Sequence, residues 1–228
     1  MLSKLLGKNF VRKQYLKNTD SSVMKEFYIR PFPAKNDFLS ELEIVSIDFE
    51  TTGLDINKDH VISIGTVDII KLGVQLQSAY HQIISSDKEL TETSVVIHQI
   101  TDAELAEGRK IEDVLPQLLK HLSGKVLLAH NAKVEMGFLN KICFELYNTK
   151  FIMPVIDTQF LAKRSFERKN TGFKDNELRL FNLRASLNMP AFKAHNALMD
   201  AIATAELFLA LASKISYEKN ARLKDFLI

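Results

Sequence analysis

The sequence predicts an α/β domain built on a mixed five-stranded sheet flanked by helices, and two observations carry that prediction. Three strand-like runs, Ile44 to Phe49, His60 to Ile70 and Val74 to Ile84, follow one another with short connections, one a turn at Leu72-Gly73, as in an antiparallel meander. The pattern then alternates. Helical periodicity over Thr101 to Ala106 and Ile111 to Leu122 precedes a short buried strand, Lys125 to Ala129. A helix over Ala132 to Tyr147, a strand at Val155-Ile156 and a helix opening at Asp157 complete it. A meander followed by such alternation gives a mixed sheet whose faces are covered by helices.

With 228 residues, 46% hydrophobic and 25% charged, the chain can bury a sizeable core, which excludes fibrous and disordered classes. Its apolar runs stop well short of the roughly 18 residues a membrane span needs, and the start lacks the compact apolar stretch of a secretory signal. No membrane association and a cytoplasmic location are therefore expected. The single cysteine, Cys143, excludes an internal disulfide, suits a reducing compartment and is expected to be buried on a helix. The net charge of +2 hides an asymmetry. Residues 1 to 30 hold seven Lys/Arg against Asp20 and Glu26, while the rest holds 23 basic and 26 acidic residues. Near-neutrality argues against a protein that coats nucleic acid electrostatically, but not against one that grips a few terminal nucleotides.

Three parts follow: a basic helical extension over 1–42, a main domain over 43–213 and a tail over 214–228. In the extension Leu2, Leu5, Leu6 and Leu16 are spaced loosely as on a helix, expected to lie on the outside of the domain. Arg30-Pro31-Phe32-Pro33 marks an irregular crossing. Lys163 to Arg179, with six basic and three acidic residues around Asn170-Thr171-Gly172, is expected to be a mobile, solvated loop, with contacts to substrate phosphates as the second reading.

Chemistry is concentrated in three segments: Asp48-Phe49-Glu50-Thr51-Thr52-Gly53-Leu54, His130-Asn131-Ala132-Lys133-Val134-Glu135, and His195-Asn196-Ala197-Leu198-Met199-Asp200. The period of two along a strand puts Asp48 and Glu50 on one face, where they repel unless a divalent cation sits between them. Asp200 lies in a helix, Ala197 to Leu211, in which only Asp200, Thr204 and Glu206 are polar, so its carboxylate projects from a mostly buried surface. His195 would stand about 140° from Asp200 on a continuous helix, too far to share a site. The histidine is therefore placed on the preceding loop, with Asn196 as N-cap. Leu139, Ile142 and Leu146 fall within about 40° of Glu135 on its helix, which turns Glu135 inward. A single histidine or helical aspartate is more often structural, and Asp157 reads as an N-cap rather than a ligand.

These motifs resemble those of the DEDDh 3′ to 5′ exonucleases, the group that includes the proofreading subunit of bacterial DNA polymerase III, over about Glu43 to Ser213. The resemblance implies a ribonuclease-H-like fold, making 43–213 the exonuclease domain. It implies metal ligation by Asp48, Glu50 and Asp200, with His195 as general base and two Mg2+ or Mn2+ ions as cofactors. The fourth acidic position falls on Glu135, where the family usually has aspartate. Thr51, Thr52, Leu54, His98 and Asn131 are implied as substrate-binding. His98 belongs to Ile97-His98-Gln99-Ile100-Thr101, which reads equally as a strand-to-helix turn with Thr101 as N-cap. The expected function is metal-dependent removal of nucleoside monophosphates from nucleic acid 3′ ends, single-stranded DNA foremost, in proofreading or DNA repair. The partners implied are that 3′ end and a polymerase or other replication or repair protein. The alternative is a weakly active or inactive nucleic-acid-end binding module, for which Glu135 is the support. The chain runs about fifteen residues past the last helix, which favours a stand-alone or loosely attached exonuclease.

Overall fold

A computed structural model describes residues 7–86, 100–168, 172–215 and 221–228. Its centre is a five-stranded sheet in the order β3-β2-β1-β4-β5. The strands are β1 (Glu43–Thr51), β2 (Val61–Ile70), β3 (Gly73–Ile83), β4 (Val126–Ala129) and β5 (Val155–Asp157). The first three pair antiparallel, and β4 and β5 add in parallel to β1. The mixed sheet is thus as expected. The β2–β3 turn is shifted by one residue: Lys71 and Leu72 adopt left-handed φ of 51° and 58°, and Gly73 already belongs to β3. A two-residue hairpin of type I′ needs positive φ at both central positions whatever residues occupy them.

Alternation along β1 divides the molecule into two apolar layers. Val45, Ile47 and Phe49 face one layer and Ile44 the other, with Leu127 and Leu128 of β4 split the same way. The first layer is covered by α2 (Ser22–Ile29), α4 (Ile111–Leu122) and α5 (Lys133–Tyr147), and includes the buried Cys143. On the second lie α6 (Thr158–Arg168), α7 (Leu180–Ser186) and α8 (Ala197–Ile215). A short α3 (Asp102–Ala106) precedes α4.

Over residues 7–42 the N-terminal segment reaches deeper than a surface helix would, while Leu2, Leu5 and Leu6 lie outside the described residues. Met24, Phe27 and Tyr28 of α2 are fully buried, each contributing roughly 1.5–3 kcal/mol by leaving water. In α1 (Lys8–Asn18) the buried residue is Arg12, whose guanidinium donates to the carbonyls of Tyr28 and Ile29 and so closes the end of α2. At the other end of the chain, Leu223 and Phe226 are buried in the second layer and Leu227 bridges to Ile156 of β5. The basic segment expected to be a loop is helical up to Arg168 as the second half of α6, and 175–178 form a 3-10 turn. Charge-rich solvent-facing turns of a helix carry the same composition as a loop, so composition alone misreads them. No helix among the described residues is long and apolar enough to cross a membrane.

Candidate active site

The site lies where β1 ends against the first turn of α8. Asp48 is paired in register with Gly65, and Glu50 with Ser63, on the α8 side of the sheet. The Ser46 hydroxyl on the same face donates to the Ala201 carbonyl at 2.7 Å, tying strand to helix. Asp200 enters from α8. Ligand-capable oxygens of Asp48, Glu50 and Asp200 all lie within 4.8 Å of one another.

The start of α8 is built as the spacing predicts. Asn196 caps it, its Oδ1 accepting from the Met199 amide at 3.1 Å, while Asp200 Oδ2 accepts from the Asn196 amide at 3.1 Å. His195 is thereby outside the helix, exposed, with a left-handed φ of 65°. It borders a cavity of about 140 Å³ shared with Glu50, Ser63, His81 and Lys193.

Glu135 lies in the first turn of α5 with only 3% of its surface exposed, and its Oε2 is buried without a hydrogen-bond partner among the described residues. Burial pushes its carboxyl up to about 8; a backbone hydrogen bond opposes this and the charge of Asp157 adds to it. Asp48 is raised well above 3.8, first by burial and then by the charges of Glu135, Asp200 and Glu50. Burial, then the charge of Glu50, lifts Asp200 to about 6, against amide hydrogen bonds and the charge of His195. Four acidic groups drawn together at such cost, one with an orphaned buried oxygen, fit a divalent cation centre with hard oxygen ligands.

The remaining expected residues are distributed around this centre. Thr51 donates to the Gly53 carbonyl at 2.8 Å and Thr52 to Asp59 Oδ1 at 3.0 Å, so both hydroxyls shape the turn after β1. That turn presents Leu54, which is 76% exposed. Asn131 has φ of 62° and lies two residues past the end of β4. His98 lies outside the described residues. Thr101 is the N-cap of α3, in a capping box with Glu104.

Asp157 caps α6 by accepting from the Gln159 and Phe160 amides at 2.8 and 3.3 Å, the N-cap role read from sequence. The same carboxylate also accepts from the Asn131 and Ala132 amides, each at 3.1 Å, and so holds the turn that launches Glu135. No local pattern signals a contact between residues so far apart in sequence. His130 sends Nδ1 to the Thr158 hydroxyl at 2.8 Å, and burial lowers it to about 4, which leaves it neutral. His81 and Lys193 at the cavity were not among the expected residues. His81 is paired with Gly65, itself opposite Asp48, which puts His81 on the Asp48 face of the sheet.

The RNase_T exonuclease family model matches residues 45–208. The PolC-type DNA polymerase III of Thermotoga maritima is 36% identical over 187 residues, which are 79% of this chain and 13% of that protein. A DNA polymerase III subunit epsilon-like protein of Rhodobacter capsulatus is 30% identical, with 24% of its length matched. The chain thus spans well under half of these relatives. The DNA polymerase III subunit epsilon of Buchnera aphidicola subsp. Baizongia pistaciae is 30% identical over 79% of this chain and 77% of its own. Among solved structures, exonuclease X in complex with 5′ overhanging duplex DNA superposes with a TM-score of 0.58 at 25% identity, over 76% of this chain and 92% of that one. The nuclease domain of 3′hExo, a DEDDh family member bound to rAMP, shares the fold, with a TM-score of 0.65 at 16% identity over 78% and 95% of the two chains. The chain belongs to the DEDDh exonuclease family, within its DNA polymerase III epsilon-like branch.

Proposed function

We propose that this chain is a 3′ to 5′ exonuclease that uses two Mg2+ or Mn2+ ions to release nucleoside monophosphates from DNA 3′ ends. The observation that carries the reading is the convergence of Asp48, Glu50 and Asp200 within 4.8 Å beside an exposed His195. Asp48, Glu50 and Asp200 would hold one ion, with Asp48 and Glu135 directed to the second. Such ions, when bound, stabilise negative charge on the attacking and leaving oxygens of an in-line displacement.

The side chains supply the rest. His195 takes the proton of the attacking water on its imidazole, from an exposed loop position just ahead of α8 and beside the carboxylates. Leu54 offers an apolar face to the terminal base at the tip of the turn that Thr51 and Thr52 brace. Asn131, whose amide is held by Asp157, and His98 are proposed as substrate contacts on the resemblance alone. A DNA polymerase is the proposed partner, because the relatives include polymerase III subunits and PolC-type polymerases.

Digestion of matched 5′-labelled DNA and RNA oligonucleotides, with and without Mg2+, tests the reading. A ladder of 5′-labelled products shortening one nucleotide at a time only with metal supports it. Internal cuts, or no products at any metal concentration, would reject it. Glu135 in place of aspartate favours a second reading, an end-binding module that cleaves weakly. Tight retention of a 3′ end without products would select that one.

A further inference from the structure

We propose that Arg184 is a positioning residue that holds the His195 loop in register with helix α8, a role that rests on His195 acting as the base. The Arg184 side chain is 4% exposed and comes from α7, outside all three motif segments. Its guanidinium spans two parts of the site. Nη1 donates to the Ala203 carbonyl at 2.9 Å and pairs with Glu206 Oε2 at 2.8 Å, both on α8 one to two turns beyond Asp200. Nη2 donates to the Pro190 carbonyl at 3.2 Å, and Cζ lies 5.0 Å from the centre of the Phe192 ring, both on the loop that leads to His195.

A buried guanidinium is expensive unless its fork is used, and here its two ends reach two chain segments that an aliphatic side chain could only touch. His195 needs such support. A non-glycine residue held at φ of 65° persists only where its surroundings over-determine the backbone. On the C-terminal side Asp200 supplies the constraint through the Asn196 amide. On the N-terminal side Arg184 supplies it, through Pro190 and Phe192. The fork therefore sets the spacing between the base and the carboxylate helix without touching substrate.

The test combines kinetics with amide hydrogen exchange on Arg184→Lys and, as a variant that leaves the buried guanidinium in place, Phe192→Ala. Both should lower kcat roughly 10-fold or more through misplacement of the base, with KM and the thermal shift induced by Mn2+ unchanged. In a His195→Ala background the same changes should cost less than about twofold, since the residue they act through is gone. Residues 190–196 should exchange faster in Arg184→Lys, with β1 and β4 unchanged. Equal losses in both backgrounds, a lost Mn2+ shift, or unchanged exchange over 190–196 would overturn the proposal. If the native chain digests nothing, the nuclease reading fails by itself, and the exchange result alone decides the role of Arg184.

Discussion

Gly65 of β2 is paired with Asp48 of β1, and the peptide of Ala197 fills the space where a side chain on Gly65 would stand. A Cβ there would fall well inside contact distance of the Ala197 carbonyl and the Leu198 amide, backbone atoms that cannot step aside. Gly65→Ala should therefore push the head of α8 off the sheet, costing about 1–3 kcal/mol. It should also separate Asp200 from Asp48. Thermal melts with and without Mg2+ check both effects, with Gly172→Ala, where nothing lies within 4 Å, as the control. Equal metal-induced shifts in Gly65→Ala and the native chain would show that the close approach does not set the site.

Removing one acid should relieve the rest. Asp48→Ala is expected to abolish metal-dependent cleavage while raising the melting temperature of the metal-free protein, because three acidic neighbours lose a repelling partner. Undiminished digestion by this variant would refute the two-ion reading.

The raised carboxyls give the metal-free protein a pH dependence of definite sign. Unfolded, Asp200 and Glu135 titrate near 3.8 and 4.5; folded, near 6 and 8. Between those values the native state binds more protons than the unfolded chain, so stability falls as pH rises. The contribution is fully present below the unfolded values and lost once pH passes the folded ones. The metal-free melting temperature should fall from about pH 5 to pH 8.5, and the stabilisation by added Mg2+ should grow over the same range, since the ion offsets the charges. A metal-free melting temperature that climbs across that range would contradict the cluster's electrostatics.

For His195 the expected signature is a split between turnover and metal binding. His195→Ala should lower kcat by roughly 10²-fold while the Mn2+ shift survives, and added imidazole should restore part of the rate. Loss of metal binding in this variant would make His195 structural.

Glu135 separates charge from length. Glu135→Gln should remove most activity, whereas Glu135→Asp, which draws the carboxylate back by roughly 1.5 Å, should keep part of it with an altered preference between Mn2+ and Mg2+. Native rates in Glu135→Gln would remove the residue from the site. Activity restricted to Glu135→Asp would favour the end-binding module.

Most of the sheet and the acidic positions were legible because they rest on local periodicity. Alternation places Asp48 beside Glu50, the stripe ending in Leu146 turns Glu135 inward, and Asn196 opens α8. Contacts between distant segments left no such trace. The burial of Tyr28 depends on its hydroxyl donating to the Lys150 carbonyl, and nothing near residue 28 announces that acceptor. Gly65 sits in a strand buried on both faces, where no alternation marks which neighbour needs the missing side chain. Arg184 reads as one more surface cation of a short helix until the fold wraps Pro190 and Ala203 around it.

The buried Cys143 gives this chain a chemical clock. It is the sole sulfhydryl, and burial pushes its thiol up to about 12, so the reactive thiolate is nearly absent at neutral pH. A disulfide reagent reaches it when α5 detaches from the sheet, so with reclosing faster than labelling the labelling rate follows the population of the open state. Glu135 rides on that same helix. Cation occupancy should accordingly slow labelling, so one spectrophotometric trace would report affinity for the ion even in variants that cut nothing.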